Sequence, residues 1–264
     1  MIRTLRIGLV LSGMAALMLT FVPVQYLLLK AGWARKSSIP RYFHRILAWL
    51  LGFRIHVHGA MTGDRPLLLV SNHTSWSDIV LLSTVGDISF IAKTEVRDWP
   101  LFGFFAVLQR SVFVERDRRG KTGEQASEIA QRLVEGDVMV LFAEGTTSDG
   151  NRVLPFKSSL FGAASAAIRE TDVETVAVQP VAIAYTKLHG LPMGRYHRPI
   201  ASWPGDVELL PHLKGILREG AIDVDIRFGE PVEIRAGTDR KRLASNMEAQ
   251  VRSMLLTSLM GREE

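Results

Sequence analysis

Seven histidines stand in the sequence, and one of them, His73, is followed five residues later by an aspartate, Asp78. The segment Val70-Ser71-Asn72-His73-Thr74-Ser75-Trp76-Ser77-Asp78 sets the imidazole at the end of an apolar, strand-like run and the carboxylate past a turn rich in helix-capping residues. Such a turn can fold Asp78 back beside His73. A carboxylate bonded to one ring nitrogen fixes the tautomer, makes the other nitrogen more basic and stabilises the imidazolium as it forms, which is what a general base requires. Spacing alone carries little weight, but the strand-end position and a second box give it meaning. That box, Val140-Leu141-Phe142-Ala143-Glu144-Gly145-Thr146-Thr147-Ser148, runs an apolar strand straight into Glu-Gly-Thr. Glycine permits close backbone approach there, and the adjacent hydroxyls and N–H groups can hold an oxygen-rich ligand.

Other chemistries find no residues. The 264-residue chain has no cysteine, which excludes a thiol nucleophile, a disulfide framework and Cys-ligated zinc or iron–sulfur sites. No Gly-x-Ser-x-Gly pentapeptide or His-Glu-x-x-His motif occurs. Gly120-Lys121-Thr122 lacks the leading glycine and the apolar strand of a phosphate-binding loop. His56 and His58 alternate along a strand and share a face, but no third ligand accompanies them, so no metal is expected. Arg116, Arg118, Arg119 and Lys121 form a basic loop that suits solvent, an acidic partner protein or anionic lipid.

The elements that must hold these residues follow from the apolar pattern. Strand-like runs at 54–58, 66–71, 88–92, 111–114, 138–142, 176–184 and 222–228 alternate with helical ones at 77–84, 123–134 and 158–169. A further strand is expected around Ala201, and the chain closes with a helix over 239–259, where Leu243, Met247, Val251 and Met254 recur at helical steps. The alternation predicts an α/β domain with a largely parallel sheet flanked by helices. From Ile7 to Leu29 there is no charged side chain, whereas Arg3 and Arg6 precede the run and Lys30, Arg35, Lys36 and Arg41 follow it. As a helix this is about 34 Å long, enough to cross a hydrocarbon core, although Pro23 and Gln25 also suit a segment that dips in and returns. The heavier basic flank leaves the main domain cytoplasmic. A net charge of +5, a pI of 9.7 and a mean hydropathy of +0.13 fit an anionic membrane surface better than nucleic acid. The expected organisation is a membrane-anchoring helix over 1–36 and a catalytic domain over 37–264, with the amphipathic stretch 39–51 able to lie at the interface.

Taken together, the boxes resemble the glycerolipid acyltransferase family, which includes the lysophosphatidic acid acyltransferases. Further matches keep the family's order: Phe90-Ile91-Ala92-Lys93 with Trp99-Pro100-Leu101-Phe102-Gly103, Val112-Phe113-Val114-Glu115-Arg116, Pro155-Phe156-Lys157, and Gln179-Pro180-Val181-Ala182-Ile183. The resemblance implies transfer of an acyl group from a carrier thioester to a lipid hydroxyl, with His73 taking the proton, Asp78 orienting it and no acyl-enzyme. It implies no cofactor beyond acyl carrier protein or coenzyme A as donor. Lys93 and backbone N–H groups of the Glu-Gly-Thr turn are the oxyanion candidates. By similarity Arg116, Glu144, Gly145, Thr146 and Thr147 line the acceptor site, with Arg116 and Lys157 meeting an anionic headgroup. The family's third box is most often Phe-Pro-Glu-Gly-Thr-Arg, whereas here Ala143 replaces the proline and Thr147 the arginine. Loss of that guanidinium argues against a phosphate monoester acceptor. Residues 145–164 and 184–195 are similar to bacterial lyso-ornithine lipid O-acyltransferases in particular, whose acceptor headgroup carries a carboxylate and an amine. The implied setting is the cytoplasmic face of a bacterial inner membrane. The alternatives are 1-acyl-glycerol-3-phosphate as acceptor and a membrane lipid-binding module without turnover.

Overall fold

A strand covered on both faces has no need of polar alternation, and two strands of this chain have none. A computed structural model describes residues 2–34, 37–114, 122–162, 165, 168–169, 173–205 and 207–261. In it β2 (Leu67–Ser71) and β5 (Val138–Phe142) are buried at every position. The other strands are β1 (Phe53–His58), β3 (Ile88–Lys93), β4 (Val112–Val114), β6 (Val176–Leu188), β7 (Leu191–Pro192), β8 (Ile222–Phe228) and β9 (Val232–Ile234). Their order across the sheet is β1-β8-β6-β2-β5-β3-β4, with β7 and β9 pairing to β6. From β6 to β4 the strands run parallel, while β8 and β1 run antiparallel to β6. Pro180 sits where β6 changes partner, from β9 through Val178 to β8 from Val181, so its missing N–H falls at a break in the ladder.

Two cores follow from the strand period. Leu67 and Leu69 face one side of the sheet, with Val80, Leu81, Phe90 and Val140. Leu68 and Val70 face the other, with Ile129, Leu133, Leu141 and Met247. Helix α1 (Ile2–Lys30), α2 (Ile39–Leu51) and α3 (Ser77–Leu82) cover the first side. Helix α6 (Thr122–Val134) covers the second, as does the last helix, α8 (Arg240–Leu259), which Asp239 caps by accepting from the Lys241 and Arg242 N–H groups. Short helices α4 (Thr94–Arg97) and α5 (Phe102–Leu108) follow β3, and α7 (Leu209–Glu219) precedes β8. The aromatic stretch around α5 divides: Phe105 packs 6.1 Å from Phe43, whereas Trp99, Leu101 and Phe104 are exposed.

Helix α1 is apolar all round but buries only one stripe, including Val10, Leu17 and Gln25, and leaves Leu5, Leu9, Leu19 and Leu27 bare. Both ends of that stripe are tied to the domain. The Arg6 guanidinium donates to Leu51 O at 3.2 Å and to Leu217 O, meeting the negative ends of α2 and α7. Nineteen residues on, about 28 Å along the axis, Gln25 Nε2 donates to Leu108 O at 2.9 Å and Ser37 Oγ donates to Gln25 Oε1. The helix therefore lies along the domain rather than projecting from it.

One expected element is corrected. Around Ala201 there is no strand but a 3-10 turn, Arg198–Ile200, because Pro199 lacks a donor and Arg198 is drawn inward. The expected helix over 158–169 opens as a 3-10 turn, Ser158–Phe161, and part of its remainder lies outside the described residues.

Candidate active site

The carboxyl ends of adjacent parallel strands are where an open α/β sheet collects ligand-binding groups. Here β2 and β5 are neighbours, with Ser71 opposite Phe142, so His73 and Glu144 emerge side by side. Asn72 clamps the point where the chain leaves the sheet: its Nδ2 donates to Ile183 O at 3.0 Å and its Oδ1 accepts from Ile183 N at 2.9 Å. The backbone of His73 is held on both sides, its N–H by Glu144 Oε1 at 3.0 Å and its carbonyl by Ser148 N–H at 2.8 Å.

The turn then brings Asp78 back as its spacing predicts. Asp78 is fully buried, and its Oδ2 accepts from His73 Nδ1 at 2.8 Å, Thr74 N at 2.6 Å and Ser75 N at 2.9 Å. Three donors on one oxygen stabilise a carboxylate that burial would otherwise penalise. Since an ionised carboxylate only accepts, the Nδ1 proton stays between the two and Nε2 is left with its lone pair. Two residues unforeseen in the sequence complete the arrangement. Tyr185, from β6, donates to Asp78 Oδ1 at 2.7 Å, and the Ser77 hydroxyl, 2.6 Å away, supports the phenol. Burial, and after it the Asp78 carboxylate, hold that phenol well above its ordinary pKa, so it remains a donor. Phe142 stacks on the imidazole with ring centroids 3.9 Å apart and planes 12° apart, an aromatic face that favours a developing imidazolium. The signal for Tyr185 was present, because a lone phenol inside a buried strand needs a polar partner.

Glu144 is buried, and its two oxygens accept from the His73 and Leu154 N–H groups. Burial pushes its pKa up to about 8 against the pull of those two bonds, with the nearby Asp78 and Glu248 charges adding to the rise. Gly145 adopts a φ of 72°, a conformation that admits glycine readily and turns the chain back after β5. Thr146 is exposed and Thr147 half-buried beside this turn. Lys93 is exposed at the end of β3, two strands from β2 and so about 10 Å to the side, and among the described residues no hydrogen bond or ion pair ties it to His73, Asp78 or Glu144. Arg116, with Arg118, Arg119 and Lys121, lies outside the described residues. His56 and His58 face aspartates of β8, with Nε2 atoms 2.9 Å from Asp223 and 3.5 Å from Asp225.

An imidazole with a carboxylate on its Nδ1 is thus set at a strand end beside a hydroxyl-bearing turn. Comparison with known proteins gives the family. Residues 54–184 match the family model described as acyltransferase. A lyso-ornithine lipid O-acyltransferase of Brucella abortus (strain 2308) is 69% identical over 265 aligned residues, covering all of this chain and 98% of that protein. Another, from Rhizobium meliloti (strain 1021), is 51% identical over 96% of this chain and 87% of its own length. The crystal structure of the 1-acyl-sn-glycerophosphate acyltransferase PlsC from Thermotoga maritima has the same fold, with a TM-score of 0.69 at 23% identity over 100% of this chain and 98% of that one. The likeness spans the sheet, both boxes and the apolar helix, so this chain belongs to the acyltransferase family.

Proposed function

We propose that this acyltransferase moves a fatty acyl group from a carrier thioester to the hydroxyl of a lyso-ornithine lipid, with His73 as general base. The observation that carries the mechanism is the contact between His73 Nδ1 and Asp78 Oδ2, which leaves Nε2 to face an acceptor. As the acceptor oxygen attacks the thioester carbonyl carbon, its proton passes to Nε2. Asp78 balances the imidazolium charge, with Phe142 against the ring. When the tetrahedral intermediate collapses the C–S bond breaks, and the imidazolium returns the proton to the departing thiolate. The products are an ester and the carrier thiol. Of the oxyanion candidates, the turn's N–H groups at 146–147 have the stronger support, since Glu144 bonds this turn directly to His73, whereas the Gly145 N–H is taken by Phe142 O and Lys93 stands farther off. Gly145, Thr146, Thr147 and Arg116 are assigned to the acceptor; Glu144, expected beside them, spends its two oxygens on the His73 and Leu154 N–H groups and is assigned with Tyr185 to holding the base and its carboxylate in position.

The acceptor assignment rests on full-length similarity to the Brucella protein and on Thr147, where a phosphate-clamping arginine is absent. The donor is a fatty acyl thioester of acyl carrier protein or coenzyme A, which present the same pantetheine sulfur. The apolar helix points to membrane association, and we assign the enzyme to the cytoplasmic face of a bacterial inner membrane. With Arg6 and Gln25 both bonded to the domain, α1 rests in the near leaflet with its bare side in lipid and does not cross.

The test is acyl transfer from labelled acyl carrier protein by purified full-length enzyme, with lyso-ornithine lipid and 1-acyl-glycerol-3-phosphate offered side by side. Product from lyso-ornithine lipid, reduced at least about 100-fold in His73→Ala, is the expected result. Product mainly from the phosphate acceptor overturns the acceptor, and an unchanged rate in the variant overturns the base.

A further inference from the structure

Two stretches more than forty residues apart meet beside the catalytic turn, and Arg198 joins them. It is 6% exposed, and its guanidinium donates to Asn151 Oδ1 and, at 2.7 Å, to Met193 O. Gly150, with a φ of 72°, fills the space between: a Cβ there would fall 2.9 Å from Thr74 Cγ2 and 3.2 Å from Arg198 Cδ. The residue after His73, the loop at 148–152 and the turn at 193–198 are thus in mutual contact. Trp203 N–H donates to Thr74 O at 2.8 Å and secures the same junction.

Three exposed charges of mixed sign stand by this junction: Asp149 and Arg195 lie near buried Arg198, and Arg152 lies near Asp149. Partial burial raises the Asp149 pKa, but bonds from Asn151 and the nearby Arg152 and Arg195 charges outweigh it and keep the group ionised. A phosphate dianion gains from the two guanidiniums and is opposed by the carboxylate near both of them. A headgroup with both a carboxylate and an ammonium is met with opposite charge at each end.

We infer that Asp149 and Arg195, with Arg152, form the headgroup site for the acceptor, Asp149 taking the ammonium and the arginines the carboxylate. This rests on the lyso-ornithine lipid reading above and extends it to the residues that select the acceptor.

The experiment is steady-state kinetics of full-length enzyme with three acceptors: lyso-ornithine lipid, its glycine-headed analogue, which keeps the carboxylate and lacks the amine, and 1-acyl-glycerol-3-phosphate. In Asp149→Asn, KM for lyso-ornithine lipid rises about ten-fold while KM for the glycine analogue stays as in wild type. In Arg195→Gln, KM rises for both, and Arg195→Lys recovers part of the loss. Both side chains are exposed, so folding is not at issue. If wild-type enzyme uses lyso-ornithine lipid and these variants keep its KM for every acceptor, the headgroup site is overturned and the acceptor stands. An Asp149→Asn loss equal on the glycine analogue also overturns it. If wild-type enzyme uses only the phosphate lipid, both readings are overturned.

Discussion

Between Asn72 and Asp78 most polar groups have a directional partner, whereas among the described residues α1 reaches the sheet domain by hydrogen bonds from two side chains, Arg6 and Gln25, nineteen residues apart. The turn is specified atom by atom: Asp78 accepts four bonds and cannot shift without breaking several of them. The helix is specified mostly by apolar area, a term that is proportional to contact and indifferent to direction. On the proposed reading the difference follows: a base must be held within a fraction of an ångström of its target, and an anchor need only stay down.

Substitutions in the two regions should therefore fail differently, and the largest difference is expected at Asp78. Asp78→Asn keeps the shape but removes the charge that, in the proposed mechanism, balances the imidazolium, and it gives His73 Nδ1 a poorer acceptor. We expect kcat to fall by about 10³- to 10⁴-fold with the fold retained by circular dichroism, and a loss under ten-fold would break the comparison. Tyr185→Phe removes a single bond to Asp78 while keeping the ring in its pocket, so kcat is expected to drop about ten-fold with little change in thermal midpoint. Rate constants measured beside melting curves would separate the two effects.

Glu144 tests the same region through pH. Its pKa is raised in the folded protein to about 8 from an unfolded value near 4.5, so between these pH values the native state binds more protons than the unfolded state. Its contribution to stability is fully present below pH 4.5 and is lost as pH rises through about 8. Melting curves at pH 6 and pH 8.5 should show a fall in wild type that is smaller in Glu144→Gln, and equal slopes would refute a buried, proton-holding Glu144. The smallest effect belongs to α1. Arg6→Ala leaves the carbonyls of Leu51 and Leu217 without their guanidinium, which lowers the midpoint by a few degrees, equivalent to about 1 kcal/mol. Sedimentation with membranes should be unaffected, since the bare apolar side of the helix is untouched.

The sequence pattern was informative in proportion to how local each contact is. His73, Asp78, Glu144 and Gly145 lie within short segments whose spacing and flanking apolar runs announce a strand end and a turn, and the structure brings them together at the ends of β2 and β5. The parallel sheet and the spacing of Leu243, Met247 and Val251 on the last helix were equally legible, because burial leaves a period in the residues themselves. Tyr185 lies 107 residues from Asp78, and only the pairing of β6 with β2 brings them together. The extended reading around Ala201 failed because the burial of Arg198 depends on Asn151, in a loop that local pattern cannot register.

The way α1 is fastened at both ends also bears on how the enzyme finds its acceptor. On the proposed seating, a helix pinned flat against the domain with its bare side in lipid would hold the site at a set height over the bilayer, and a lysolipid would reach it by lateral diffusion. The relevant concentration is then the mole fraction of lysolipid in the surface. Diluting it with inert lipid should slow turnover even when the total amount in the assay is unchanged.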